Sequence, residues 1–539
     1  MTFAGPRLQI LDQPRFPSFN GSLRDLFATL DDLLGCGGDP RLMLDPISRV
    51  NDYGCGLMPS PQTLSFSSST ASAISERAYE RAGLAREELM RLAIAVGLEE
   101  ALETRIEEMR EELKAHLALG ADAGVVFSPS GTDSQLHALF LSRLLLGERL
   151  TTIIVGADQT GSGTAYTARG RHFNRFTAGG TVVRKDTAIA GLAGDCIALP
   201  LADSTGLRPR ADIDGAVLEA IETTVARGAS VLLQVMDASK LGWRAPSQAC
   251  LDEIARRWPD QVQVVVDACQ MRLGRPRLRA CLDRGYMVLV TGSKFFGGPA
   301  FSGALLVPSR LAQRISGGEA DAAGIRDYAN RSDWPKGFGL RSHFQSRANL
   351  GQWLRWEAAL EEIGAYYKVP DAWRAHALRE FRLTVENLIA LSPQLRLIGM
   401  GASAVDRSDE EFGEATIFPF TIEGTFRRFS SHECRALHAA LAHDLGDVIG
   451  RSDSERDLAA RCCLVGQPVR IERGSGQPAT VLRLCAGARL ATETWASNRD
   501  VAERNLQAEH DRAAEVVAKI ELTLAHAAEK GFGELSHGI

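Results

Sequence analysis

The sequence predicts an α/β protein, with a large domain on a mostly parallel sheet and a smaller α+β domain after it. Three observations predict this. Short apolar runs recur between Gly124 and Pro308, amphipathic stretches separate several of them, and the rhythm changes after residue 345. The runs are GVVF (124–127), TTIIV (151–155), CIALPL (196–201), SVLLQVM (230–236), QVQVVV (261–266) and YMVLV (286–290). β-branched runs bounded by turn residues read as strands buried on both faces. Segments such as TDSQLHALFLSRLLLG and SQACLDEIARRW read as helices between them. GALLVP (303–308) follows the sixth run so closely that an antiparallel neighbour is expected.

A chain of 539 residues asks for more than one core. Residues 1–84 read as an N-terminal arm with helices, 85–345 as the large domain and 346–539 as the small one. From Ala73 to Leu119 apolar residues fall at three- and four-residue intervals among charge pairs, a helical pattern. Further helices are expected at 345–364, 371–392, 431–444 and 498–529, with strands in TIFPFTI and TVLRLCA.

Composition is that of an ordinary globular protein, 45% hydrophobic and 24% charged. A net charge of -6 with scattered Lys and Arg gives no basic stripe, so no nucleic-acid partner is expected. No run approaches the roughly 20 apolar residues of a membrane span, and the first residues lack the apolar core of a secretory signal. Ten cysteines in so long a chain do not form a disulfide framework, and the adjacent Cys462 and Cys463 lack metal-ligand spacing. A cytoplasmic protein without a metal is the expectation.

Ligands of a parallel sheet bind beyond the carboxyl ends of its strands, and three runs end there in suggestive motifs. Ser128-Pro-Ser-Gly-Thr-Asp133 joins GVVF to a helix. Ser130, Gly131 and Thr132 would offer an anion free N–H groups, hydroxyls and the positive helix end; alone they are equally an ordinary cap. Asp267 closes QVQVVV, where an acid is costly without a cationic partner. A protonated pyridine nitrogen is one such partner; a salt bridge or a cap role is the alternative. Thr291-Gly-Ser-Lys294-Phe-Phe-Gly-Gly-Pro299 follows YMVLV. Lys294 on this loop could attack an aldehyde as its neutral amine, with Thr291 and Ser293 supplying hydroxyls to a phosphate. A lone lysine there would usually be structural, but the three motifs in this order indicate pyridoxal 5′-phosphate held by Lys294 as a Schiff base.

On these residues the chain resembles fold-type I pyridoxal-phosphate enzymes, within them the class V aminotransferase and cysteine desulfurase group. The resemblance covers residues 85–310 well and the C-terminal part more loosely. It implies a seven-stranded-type large-domain sheet, a homodimer and an amino-acid substrate. Asp267-Ala-Cys-Gln270 looks like the group's Asp-x-x-Gln, which implies Asp267 on the ring nitrogen and Gln270 on the phenolic oxygen. Ser130, Gly131, Thr132, Thr291 and Ser293 match its phosphate-binding residues. Arg483 matches the arginine that grips the substrate α-carboxylate, a role its bidentate fork suits; a buried structural arginine is the alternative.

The departures are informative. The loop Gly156–Gly163 lacks the aromatic or His that stacks on the cofactor ring, leaving Thr160 as the candidate and His172 as a substitute. VMDASKLGW (235–243) occupies another cofactor-lining loop, with Ser239 the candidate contact. In Arg461-Cys-Cys-Leu-Val-Gly-Gln-Pro468, Val465 falls where a desulfurase carries its nucleophilic cysteine, so desulfuration is disfavoured. The arm, with Asn51-Asp-Tyr53-Gly and Ser67-Ser-Ser-Thr70, is polar enough to reach an active-site mouth, and is expected rather to wrap a second subunit.

These readings imply an enzyme, a transferase or lyase, that acts on an α-amino acid through a Cα carbanion. Lys294 is the expected base and Asp267 the residue that keeps the ring an electron sink. An aminotransferase-type reaction is the default, β/γ-elimination or replacement the alternative. A non-catalytic binding protein is the weaker reading.

Overall fold

The computed structural model describes residues 21–203, 206–316, 324–398, 409, 411–423, 429–471 and 479–532. Its strands, in chain order, begin with β1 (Leu64–Phe66), β2 (Gly124–Ser128), β3 (Leu150–Val155) and β4 (Asp195–Leu199). A minimal pair follows, β5 (Ala202–Asp203) and β6 (Gly206–Leu207), then β7 (Ser230–Met236), β8 (Val262–Asp267), β9 (Met287–Thr291) and β10 (Gly303–Val307). The C-terminal part adds β11 (Leu395–Leu397), β12 (Ile417–Ile422), β13 (Cys463–Ile471) and β14 (Ala479–Cys485).

The large sheet has seven strands in the order β2-β10-β9-β8-β7-β3-β4. All seven apolar runs of the sequence form it. Strands β9, β8, β7, β3 and β4 pair in parallel, and β10 runs antiparallel to both β9 and β2. β2, β9 and β10 are buried throughout, as unbroken apolar runs demand. Helices cover the sheet. Gly131–Leu146, capped by the Ser130 hydroxyl, packs against β10, β9 and β2, while Arg210–Ala226 packs against β3, β7 and β4.

The helical stretch after Ala73 splits into Glu76–Val96 and Leu98–His116. Gly97 breaks it with φ +88°, a conformation glycine adopts without the Cβ penalty. Both helices pack on Leu350–Lys368, which leads out of the large domain and is buried almost all round. Its two buried acids are paired: Glu357 with Arg81 and Arg105, Glu362 with Arg77 and the Ser75 hydroxyl.

The small sheet runs β1-β13-β14-β12-β11. Its edge strand β1 comes from the arm and pairs in parallel with β13. The N-terminal segment is therefore built into the C-terminal unit of its own chain. Three residues are too short for a period-two pattern to announce a strand. Among the described residues no helix is long and apolar enough to cross a membrane.

Candidate active site

Strands β2, β8 and β9 end around one cavity of about 400 Å³. Ser130, Gly131, Thr132, Thr160, Asp267, Gln270, Thr291, Ser293, Lys294 and Arg483 all line it. These residues span more than 350 positions of sequence, and the parallel sheet brings them together because every β-to-helix turn emerges on one edge.

Lys294 sits half-buried on the turn after β9, and its amine has no hydrogen bond or ion pair among the described residues. Asp267 closes β8. One carboxylate oxygen accepts the Cys269 N–H at 3.1 Å, which fixes the side chain at the strand end and leaves its other oxygen for a cation. Thr291 donates to the Cys269 carbonyl at 2.7 Å, so its hydroxyl braces the floor. The hydroxyls of Thr132 and Ser293 have no partner among the described residues. They stand with the first N–H groups of the helix Gly131–Leu146, a site suited to an anion. Gly131 is required here: a Cβ would lie 2.7 Å from Cys269 Sγ.

Arg483 is buried on β14, the central strand of the small sheet. Its Nη1 donates to the Lys240 carbonyl at 3.1 Å, and its Nη2 donates to Thr70 Oγ1 at 3.2 Å and to the Gln467 carbonyl. Its buried Nε has no hydrogen-bond partner among the described residues. Burial pushes this guanidinium down to about 10, the sign of a cation held without a carboxylate. Gln270 gives one N–H to the Ser69 carbonyl at 3.0 Å and accepts from Arg272 at 3.1 Å, so it is pinned at the cavity wall.

Ser239 is placed elsewhere. Its hydroxyl oxygen accepts the N–H groups of Leu241 and Trp243, at 3.1 and 3.0 Å, and stabilises its own loop. The neighbours Ala238 and Lys240 line the cavity instead. His172 does not line it; its Nδ1 meets the Tyr328 hydroxyl at 2.7 Å. Thr160 does, but its hydroxyl donates to the Ala157 carbonyl, and the rings in the wall are Tyr53 and Phe301. Neither Cys462 nor Cys463 reaches the cavity. Cys463 is buried on β13, its Sγ 3.6 Å from the Arg461 carbonyl, while Gln467, Pro468 and Val469 of the same strand line the wall.

The arm supplies Arg41, Asp52, Tyr53, Ser69 and Thr70 to the cavity of its own chain. Of its two expected uses, it makes the first, reaching the mouth. Arg41 is held by Asp39, with Nε–Oδ1 at 2.9 Å, and lies over the rings of Phe301 and Phe173. Sequence reasoning missed Arg41 and Lys240. Arg41 sits among polar residues with no periodicity to mark it, whereas a lysine four residues beyond an apolar strand end was a visible signal.

A larger cavity of about 1570 Å³ lies between the large sheet and the small unit, lined by none of the sequence-predicted site residues. Its buried acid Asp237 is already paired with Arg244 and Arg277, each at 3.2 Å.

No family model matches the chain, and no curated protein matches it. Among solved structures, the cysteine desulfurase CsdA from Escherichia coli is 15% identical with a TM-score of 0.46, covering 84% of this chain and 95% of its own. An Oryza sativa protein, TDC with PLP and tryptamine, is 14% identical at 0.45, covering 85% and 84%. The cystine C–S lyase C-DES, bound to its product cysteine persulfide, is 14% identical at 0.48, covering 84% and 98%.

Proposed function

We propose that the chain is a pyridoxal-5′-phosphate enzyme acting on an α-amino acid, with an aminotransferase-type reaction. One observation carries this: an unpaired lysine amine, a strand-end carboxylate and a helix N-terminus flanked by free hydroxyls line the same cavity. The residues fit the group. Lys294 would carry the aldehyde, Asp267 would face the ring nitrogen, and Gly131, Thr132 and Ser293 would hold the phosphate. Bound there, the cofactor supplies an electron sink for charge developing at the substrate α-carbon.

The chain's own residues do the rest. Arg483 receives the α-carboxylate and orients the Cα–H bond toward Lys294. The amine of Lys294, facing the same cavity, would serve as the base that takes that proton and as the acid that gives it back. Asp267, half-buried at the end of β8, would turn its free carboxylate oxygen to the cation of the ring. Tyr53 and Phe301 narrow the mouth and limit water. Cys462 and Cys463 do not line the cavity, and the thiol of Cys269, which does, is pushed up by burial, which together speak against a persulfide route. Homodimeric assembly belongs to the same proposal and is checked by light scattering.

The test is the purified protein's visible spectrum. A band near ~420 nm, lost in Lys294→Ala and fixed on Lys294 by borohydride, is the expected outcome. Keto acid with stoichiometric amination of the cofactor identifies transamination, while ammonia release identifies elimination. A protein that binds no pyridoxal phosphate, or that is labelled at another lysine, overturns the proposal.

A further inference from the structure

The cavity holds a second unpaired amine beyond Lys294. Lys240 follows β7 on the loop 237–243, lines the same cavity and is half-buried. Its ammonium has no hydrogen bond or ion pair among the described residues; only its carbonyl is engaged, by Arg483. The charged groups around it are Arg483, Lys294 and Asp158. Asp158 is committed elsewhere, its oxygens accepting the N–H groups of Leu201 at 2.8 Å and Ala202 at 3.2 Å.

Arg41 is neutralised by Asp39. Asp267 faces the ring nitrogen and Lys294 carries the aldehyde in the proposal above. The phosphate is met by a helix end and hydroxyls. A substrate α-carboxylate satisfies Arg483. Lys240 is then the cation of the cavity wall with no carboxylate bonded to it among the described residues, and a partly desolvated ammonium gains from an anion opposite it. Asp52, the other acid in the wall, lies in the field of Asp39 and Arg41, and burial makes it harder to ionise.

Resting on the proposed function, we infer that the substrate is an amino acid with a second anionic group on its side chain, a carboxylate or an oxidised-sulfur acid, held by Lys240. Lys240 is thus a specificity-determining residue. Arg483 and Lys240, linked through the Arg483–Lys240 hydrogen bond, form a two-cation clamp for a substrate dianion. Burial beside Arg483 and Lys294 pushes the Lys240 amine down to about 8, so it gains most from an anion that restores its charge.

The experiment titrates the holoenzyme with aspartate, glutamate and cysteine sulfinate against asparagine, glutamine and alanine, following the visible band. At least ~10-fold tighter binding of one acid than of its amide isostere is expected. Lys240→Gln should erase that preference while neutral amino acids bind within ~3-fold of before, and Lys240→Arg should restore part of it. The ~420 nm band and the melting temperature of both variants should match the parent, which separates this role from a structural one. Equal binding of acid and amide by the parent overturns the inference. So does a Lys240→Gln variant whose band shifts while its discrimination stays, since the amine would then face the cofactor. A parent without the band overturns instead the proposed function beneath it.

Discussion

Arg483 on β14 donates a 3.1 Å hydrogen bond to the main-chain carbonyl of Lys240, tying the centre of the small sheet to the loop after β7. The site is thereby completed only when the two sheets are docked. Arg483 also holds Gln467 and Thr70, so one buried guanidinium gathers the small sheet, the arm and the large sheet around a single cavity.

Arg483→Lys should therefore fail twice. A point charge cannot reproduce the planar fork, so carboxylate affinity should fall roughly 10- to 100-fold, as expected for one lost charge-assisted pair of about 1.5–3 kcal/mol. It also strands the carbonyls of Lys240 and Gln467, which should cost about 1–3 kcal/mol of stability. Substrate titration and thermal unfolding read the two effects separately. Unchanged carboxylate affinity would remove Arg483 from substrate binding.

Much of this site could be read from sequence because its central residues lie at strand ends. Asp267 closes an apolar run and Lys294 sits on the turn just after another, where a charged side chain is conspicuous. Ser239 misled for a related reason: a small polar residue just past a strand suggests a ligand contact, yet its hydroxyl serves Leu241 and Trp243. The adjacent Lys240 was the informative residue. Arg41 and β1 could not be read, because an irregular arm shows no period and its position is decided by tertiary contacts. Buried Arg355 makes several of these, donating to the carbonyls of Leu34, Cys36 and Gly37 on the arm and of Phe301 in the cavity wall.

Asp267→Asn keeps the size of the side chain and an oxygen for the Cys269 N–H, but removes the charge. Thermal stability should change by less than about 1 kcal/mol, because the retained hydrogen bond is the main contact the carboxylate makes within the protein. Turnover should fall at least ~100-fold, the loss expected when a developing charge is no longer compensated. Near-parental turnover would show that Asp267 is only a strand-end brace.

Gly131 and Cys269 should behave as a coupled pair. Alanine at 131 is a better helix former than glycine, so Gly131→Ala harms only by placing its Cβ 2.7 Å from Cys269 Sγ. The displaced helix end should bind pyridoxal phosphate at least ~10-fold more weakly. Removing the sulfur in Gly131→Ala with Cys269→Ala relieves the contact and should recover most of that loss, a non-additivity expected of touching residues. Additive losses in the double variant would place the anion site away from this helix start.

Asp133 gives the pH prediction. Its side chain is buried, accepts a hydrogen bond from the Ser130 hydroxyl at Oδ2 and has no hydrogen-bond partner at Oδ1 among the described residues. Burial first, then the neighbouring Asp39, raises it from 3.8 to about 7. A carboxyl raised on folding binds its proton more tightly in the native state. Its contribution is thus greatest below 3.8, is lost as pH rises to about 7 and is constant above. The ceiling on that loss is roughly 4 kcal/mol. Asp133→Asn fixes the neutral form and retains an acceptor for Ser130. Its melting temperature should equal the parent's near pH 4, exceed it progressively toward pH 7 and hold a constant lead above, with the difference between the two proteins cancelling other carboxylates. A difference that stays flat with pH would mean that Asp133 is ionised in the folded protein, and the helix start at Ser130 would then carry a buried negative charge where the proposed phosphate must bind.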